Sequence, residues 1–505
     1  MKVRSVTNHI NLVVTGCLII LCACTSTTKE TEPVYQEPHR LQFHFSQPSH
    51  WMNDPNGMVY YAGEYHLFYQ HYPDSTVWGP MHWGHAVSTD MVHWEHLPIA
   101  LFPDSLGYIY SGSCVVDANN TSGLQSGTEK PLVAIFTYDK KGYETQAIAV
   151  SSDKGRTFSK YSENPVIKNP DEKNFRDPKV FWHNESEHWI MSLAVDNRIQ
   201  FYRSKNFKEW ELTGEFGREH GGHGGVWECP DLFPLIVSGS EETKWVLLVS
   251  INPGGPNGGS ATQYFTGQFD GKTFTSENDS ASVRWIDYGP DNYAGVTWSN
   301  APDNRTLFLG WMGNWNYANV VPTEKWRSAM TIPRELSLVN TEEGTLLVST
   351  PVKELEKLRG IKKVFDASGI QNHSGLLEVV LEFDVSESSA TDFGVELYNS
   401  KNESVTIGYN KLSNQYFIDR THSGKVNFSD DFAGVHIASR VSTDQTIRFH
   451  LFIDRASVEL FGDNGKTCMT EIFFPNEDFK NIRLYEKDGK AKLLSGEAYE
   501  LKAIW

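Results

Sequence analysis

The 505-residue sequence predicts an all-β fold, a five-bladed β-propeller followed by a C-terminal β-sandwich. Three observations lead there. Strand-length runs that alternate or stay apolar follow one another with almost no helical periodicity between them. A short strand-turn-aromatic unit recurs at blade-length intervals. A second series of strand-like runs comes after the one stretch that reads as a helix or linker.

At the N-terminus, Lys2 and Arg4 precede the apolar run Leu12 to Cys22, which is too short to span a bilayer and reads as the core of a signal peptide. Leu21-Cys22-Ala23-Cys24 resembles a bacterial lipobox. Residues 1–23 are therefore expected to be a lipoprotein signal peptide. Cys24 would carry the lipid and hold the mature chain at the bacterial cell envelope by acyl chains alone. Ordinary signal cleavage nearby is the alternative. The polar residues 24–39 read as a tether.

Residues 40–345 carry the propeller pattern. Ala86-Val-Ser-Thr-Asp90 followed by Trp94, Ala149-Val-Ser-Ser-Asp153 followed by Phe158, and Phe201-Tyr-Arg-Ser204 followed by Trp210 are copies of one unit, with a weaker copy at Gln268 to Phe274. Their spacing suits one four-stranded blade each. The runs Tyr65 to Gln70, Leu132 to Tyr138, Trp189 to Val195, Trp245 to Ser250 and Leu307 to Trp311 supply strands. Residues 346–364 are expected to be a linker, with Pro351 to Arg359 as its helical part. Residues 365–505 return to strand-length runs separated by turns such as Gly462-Asp-Asn-Gly465, the pattern of a two-sheet sandwich.

Composition narrows the function. A formal charge of −18 argues against nucleic acid or anionic membrane surfaces as partners, because binding a polyanion needs a basic footprint. Fifteen Trp suit a carbohydrate-binding protein, although many must be core. Cys114, Cys229 and Cys468 remain once Cys17, Cys22 and Cys24 are assigned to the leader and its lipid. An odd number at wide spacing argues against a disulfide framework. His82, His85, His93 and His96 lie in strand-like sequence without a metal-binding helix motif, so no metal and no cofactor is expected.

Chemistry is carried by three acidic motifs: Trp51-Met-Asn-Asp-Pro-Asn-Gly57, Phe175-Arg-Asp-Pro178 and Trp227-Glu-Cys-Pro-Asp231. Each sets an acid beside proline and an aromatic ring, as at a strand end that turns into a sugar-lined pocket. Paired carboxyl groups are what glycoside cleavage requires. Taken singly, each of the three reads more readily as an ordinary feature: a turn, an ion pair and a surface glutamate.

Their order changes the reading. Together with Gly79 to His85, Tyr110-Ser-Gly-Ser113, Trp326 to Glu335 and Asp454 to Gly462, they closely resemble glycoside hydrolase family 32, the invertases, inulinases and levanases. The resemblance implies a retaining hydrolysis of β-D-fructofuranosyl linkages. Asp54 would be the nucleophile, Glu228 the general acid/base and Asp177 the transition-state stabiliser. It also implies that Asn53, Gln70, Trp78, Ser113 and Arg176 line the fructose subsite. Trp83 and Trp311 would be further sugar-facing rings or core. Tyr110 and Asn292 depart from the family's commonest wording without touching the acids.

The substrate expected is a fructan polysaccharide or oligosaccharide of levan or inulin type, or sucrose, with exo attack slightly preferred. Endo attack, a fructosyltransferase using the same intermediate, and a non-catalytic glycan-binding lipoprotein are the alternatives. The sandwich is expected to brace the propeller.

Overall fold

The computed structural model describes residues 1–2 and 35–505. The expected signal peptide, Cys24 and residues 24–34 of the expected tether lie outside the described residues, apart from Met1 and Lys2. The unit Tyr35–Trp505 holds both the propeller and the sandwich.

Five antiparallel sheets form the propeller. Their innermost strands are β1 (His50–Tyr61), β2 (Tyr108–Val116), β3 (Phe175–His183), β4 (Val226–Ile236) and β5 (Tyr293–Thr297). Each blade continues outward through successive neighbours, as β1 does through Glu64–Tyr72, His82–Ser88 and Glu95–Leu101. Strands in this region run apolar because both faces of a blade are covered by its neighbours. Between blades 1 and 2 lie Phe68, Trp83, Ile109 and Phe136. Ile135, Phe175, Val180 and Met191 fill the next gap, and Phe201, Trp227, Leu247 and Phe265 the one after. The repeated unit is the turn from third to fourth strand. Ser88 Oγ accepts from the Asp90 N–H at 3.1 Å, Ser151 Oγ from the Gly155 N–H at 2.9 Å, and Ser204 Oγ from the Phe207 N–H at 2.9 Å. Short polar side chains that bond their own backbone define such turns.

The ring closes where β1 pairs in parallel with Trp326–Arg327, His50 opposite Trp326 and Trp51 opposite Arg327. The family-like stretch Trp326 to Glu335 therefore marks the closure.

Two boundaries differ from expectation. The stretch expected as a linker is ordered secondary structure. Gly344–Pro351 is the outermost strand of blade 5, Lys353–Leu358 a 3₁₀ helix with Leu355 and Leu358 buried, and Arg359–Val364 an edge strand of the sandwich. Thr345, Leu347 and Ser349 are buried, so the alternation there is that of a strand. Residues 35–39 are also no free tether. The Tyr35 ring stacks on Trp505 at 4.1 Å and its hydroxyl donates to Ser46 O at 2.8 Å.

The sandwich packs a six-stranded sheet, Arg359–Val364 to Thr467–Ile472, on a five-stranded sheet, Val435–Ser439 to Asn481–Lys487. Its own core includes Leu381, Phe393, Ile407, Tyr416, Phe449 and Met469. The junction with the propeller is ionic and buried. Asp454 accepts from the N–H groups of Gln42 and Phe43 and from His44 Nδ1, while Glu459 binds His44 Nε2, the Ile332 N–H and Arg334. The Asp454 to Gly462 signature is thus a clamp on the propeller, the bracing role expected of the sandwich.

Candidate active site

All five innermost strands carry an irregularity at the same level, near their first residues. The register shifts between Met52 and Pro55 on β1, between Ile109 and Gly112 on β2, and between Glu228 and Asp231 on β4. On β5 it shifts between Tyr293 and Val296, and on β3 opposite Ser192 and Ala194. A bulge sets two residues against one and re-aims the extra side chain. Here it turns Asp54, Ser111, Asp177 and Glu228 toward the propeller axis. The backbone is strained to do so: Asp177, Cys229 and Ala294 hold φ of 63°, 47° and 53°. Non-glycine residues in this left-handed region cost about 1 kcal/mol or more each, a strain that clusters at functional sites.

A pocket of about 360 Å³ lies at this level. Asn53, Asp54, Gln70, Trp78, Arg176, Asp177 and Glu228 all line it, as do Tyr110, Ser111, Glu144 and Trp315. The acids are held individually. Trp51 Nε1 donates to Asn53 Oδ1 at 2.8 Å, which orients the amide so that Asn53 Nδ2 donates to Asp54 Oδ1 at 2.9 Å. The Ser111 hydroxyl donates to Asp54 Oδ2 at 2.8 Å. The Cys229 N–H donates to Asp177 Oδ2 at 3.0 Å. Arg176 donates through Nε and Nη2 to Glu228 Oε1, at 3.1 and 2.8 Å, and through Nη1 to Glu144 Oε1 at 2.9 Å. The Tyr293 hydroxyl donates to the other oxygen of Glu228. Buried Gln70 keeps its Nε2 without a protein partner among the described residues, leaving a donor for a ligand hydroxyl.

Acids outnumber bases here, and this sets the proton balance. Burial, with the charge of Glu228 next, raises the Asp54 carboxyl above its ordinary range despite the bonds from Asn53 and Ser111. Asp177 is pushed up to about 7, chiefly by burial; the charges of Glu228 and Asp54 add to this, and Arg176 and the Cys229 N–H oppose it. The cluster therefore retains a proton near neutral pH. The Cys229 thiol, 3.7 Å from Asp54 Oδ2 and 3.6 Å from Asp177 Oδ2, is held protonated by burial and by the neighbouring acids.

Two expected subsite residues stand elsewhere. Ser113 Oγ donates to Pro178 O at 2.9 Å and accepts from the Val180 N–H at 3.0 Å, tying β2 to β3 away from the pocket. Ser111, one bulge earlier, faces Asp54 in its stead. Trp311 is fully buried, its ring 5.0 Å from that of Trp315, and Trp315 is the ring that reaches the pocket. Trp83 is likewise core, with its Nε1 donating to Tyr110 O at 3.0 Å. Asn292 lies away from the pocket, where its amide donates to Asp287 Oδ2 at 3.1 Å. Nothing in the sequence singles out Glu144, and Tyr293 stands in the family-like stretch Asp291-Asn-Tyr-Ala294 without a sign of its partner. Each lies in an ordinary strand run, and only the assembled ring brings it to Arg176 or Glu228.

Comparison with known proteins shows the family. The profile of the Glycosyl hydrolases family 32 N-terminal domain matches residues 44–351, and that of the family's C-terminal domain matches 348–500. The chain belongs to glycosyl hydrolases family 32. It is 49% identical to a levanase of Bacillus subtilis over 96% of this chain and 74% of the levanase. The crystal structure of an exo-inulinase from Aspergillus awamori superposes with a TM-score of 0.88 at 36% identity, over 93% of this chain and 100% of that one. A β-fructofuranosidase from Schwanniomyces occidentalis, complexed with fructosyl-erythritol, gives 0.85 at 34% identity over 94% and 99%. Like these relatives, the chain is a glycosidase of the fructan-hydrolysing group.

Proposed function

We propose that the protein is a retaining exo-β-fructosidase that removes terminal β-D-fructofuranosyl units from levan or inulin-type fructans. One observation carries the proposal: carboxyl groups from β1, β3 and β4 converge on one small pocket around a single arginine. In this mechanism Asp54 attacks C2 of the fructosyl unit, the glycosidic C–O bond breaks, and Glu228 gives its proton to the departing oxygen. The bonds from Asn53 and Ser111 hold both oxygens of Asp54 for this attack. Glu228 then takes a proton from water, whose oxygen displaces Asp54 and releases fructose. Asp177, fixed by the Cys229 N–H, stabilises the oxocarbenium-like transition state and grips sugar hydroxyls. Gln70, Trp78, Tyr110 and Trp315 wall the subsite.

Exo attack is favoured by the size of the pocket. At about 360 Å³ it falls at the low end of ligand sites, which span about 300 to 1,000 Å³, and suits a chain end better than an interior segment. The relative in Aspergillus awamori is named an exo-inulinase. A time course of products from purified protein lacking residues 1–24, on levan, inulin and sucrose, tests the reading. Free fructose alone from the earliest points is the expected result. An early ladder of oligosaccharides would replace exo by endo attack, and fructosylated products at high sucrose would mark a transferase.

The cellular setting is part of the proposal. Leu21-Cys22-Ala23-Cys24 supports a lipid-anchored protein of the bacterial cell envelope, with Cys24 acylated and no other membrane association. Labelled palmitate should enter the full-length chain and not its Cys24→Ala variant. Equal labelling of the two would refute the anchor.

A further inference from the structure

We propose that Arg420, a residue of the sandwich, is a positioning residue for the pocket. Through Tyr317 it seats the turn that carries Trp315, and through Asp291 it holds the segment that presents Tyr293 to Glu228. The inference rests on the reading of the pocket as the fructosyl site.

Arg420 is fully buried on the strand Gln415–His422, and its guanidinium reaches out of the sandwich. Nη1 donates to Asp291 Oδ2 at 2.6 Å and to Ile472 O at 3.1 Å, Nε donates to Phe432 O at 2.8 Å, and Nη2 donates to the Tyr317 hydroxyl at 3.0 Å. That hydroxyl in turn donates to Asp291 Oδ1 at 2.5 Å. Arginine, tyrosine and aspartate thus form a closed triangle in which each polar group has a partner. Such a planar fork fixes direction as well as distance.

One propeller corner, Tyr317, lies two residues from Trp315 in the pocket wall, and the other, Asp291, lies two residues from Tyr293, the partner of Glu228. Tyr317 ends a tight turn in which the N–H groups of Tyr317 and Ala318 donate to Asn314 O at 3.1 and 2.8 Å, with Trp315 at its apex. The rest of the turn rests on neutral bonds. Asn314 Nδ2 donates to Pro290 O at 2.8 Å, and the Trp315 N–H donates to Ser260 Oγ at 3.3 Å. The glycine-rich run Gly254 to Gly259 packs beneath: a Cβ on Gly259 would come within 2.1 Å of Asn314 Oδ1. The charged anchor of the turn comes from Arg420. On the other corner, Asp291 leads into Tyr293, whose hydroxyl donates to Glu228. One sandwich side chain therefore reaches both a wall of the sugar site and a support of its acid.

Tyr317→Phe removes only the hydroxyl and keeps the ring against Phe432, 5.2 Å away. It is expected to raise KM for levan and inulin about tenfold with kcat within about twofold, the signature of lost ground-state binding. Arg420→Lys keeps the charge without the fork and is expected to raise KM similarly and also lower kcat, because Tyr293 is released. Arg440→Met, which breaks the buried pair with Asp463 inside the sandwich, is the control for destabilisation alone. KM and kcat of both test variants equal to wild type, with melting lowered as in Arg440→Met, would overturn the proposal. Oligosaccharide binding measured by calorimetry in an Asp54→Ala background separates the two readings. Weaker binding on adding Tyr317→Phe supports positioning whatever the turnover, whereas wild type inactive on levan, inulin and sucrose would count against the fructosidase reading.

Discussion

Two buried acid clusters of this protein use the same residue types to opposite ends. In the pocket, Asp54, Asp177, Glu228 and Glu144 share one cation, Arg176. At the junction of propeller and sandwich, Asp287, Asp454 and Glu459 meet Arg334, His44 and a set of backbone N–H groups. Burial pushes carboxyl pKa values up in both places, and the balance of partners decides the outcome. In the pocket burial, with the excess of negative charge adding to it, holds Asp54 and Asp177 above their ordinary range. At the junction Arg334 and His44 outweigh burial, and the Glu459 carboxyl is lowered. An unbalanced cluster keeps a proton for chemistry; a balanced one is a fastener.

Breaking each cluster should therefore damage a different property. Asp54→Ala or Glu228→Ala should cut kcat by about four orders of magnitude or more, since a nucleophile or general acid acts mainly in the transition state. The melting temperature should stay equal or rise, because repulsion among the acids is relieved. Turnover close to wild type in either purified variant would end the catalytic assignment. Arg334→Met should do the reverse. Leaving Asp287 buried without its cation and Glu459 with His44 alone should cost about 3 to 5 kcal/mol in denaturant unfolding, while folded molecules keep near-normal kcat.

Acidity sharpens the contrast. With Asp177 pushed up to about 7, the carboxyl cluster holds a shared proton up to about that pH and loses it above. kcat/KM should accordingly fall as pH rises through that region, with an apparent value that belongs to the three carboxyl groups together. An alkaline limb absent up to about pH 9 would contradict the shared proton. At the junction His44 is raised from 6.5 to about 9 by Asp454 and Glu459, which overcome its burial. A raised histidine contributes stability that is full below about pH 6.5 and is lost as pH climbs through 9. The difference in unfolding free energy between wild type and His44→Gln should shrink over that window.

The smallest expected effect concerns two serines on one strand. Ser111→Ala should lower kcat/KM by about tenfold through the lost bond to Asp54, whereas Ser113→Ala should leave kinetics unchanged and cost about 1 kcal/mol of stability. The opposite result would place the bulge of β2 in another register.

Much of this was legible in the chain. The three acids, their flanking Asn53 and Arg176, and the ring Trp78 stand in contiguous wording, and the side chains of all six line the pocket. Blade turns were legible because serine and aspartate bond to their own backbone within a few residues. Ser113 and Trp311 differ from expectation for one physical reason. A bulge or a tight turn shifts which side chain points inward, and neither leaves a mark in the alternation of residue types. The strand Gly344–Pro351 was hidden in the expected linker because its apolar run, Leu346-Leu347-Val348, is too short to mark a strand by periodicity.

By itself the sequence determined the class of fold, the order of the blades and which acids to propose for catalysis, because turn chemistry, strand-length apolar runs and short motifs are local. The tertiary structure alone decided which groups surround those acids. Glu144 and Tyr293 come from distant strands and Trp315 from a turn, and only closing the ring sets their distances to the acids. Proton balance and pocket shape depend on such distances, since burial and charge act through space and not along the chain.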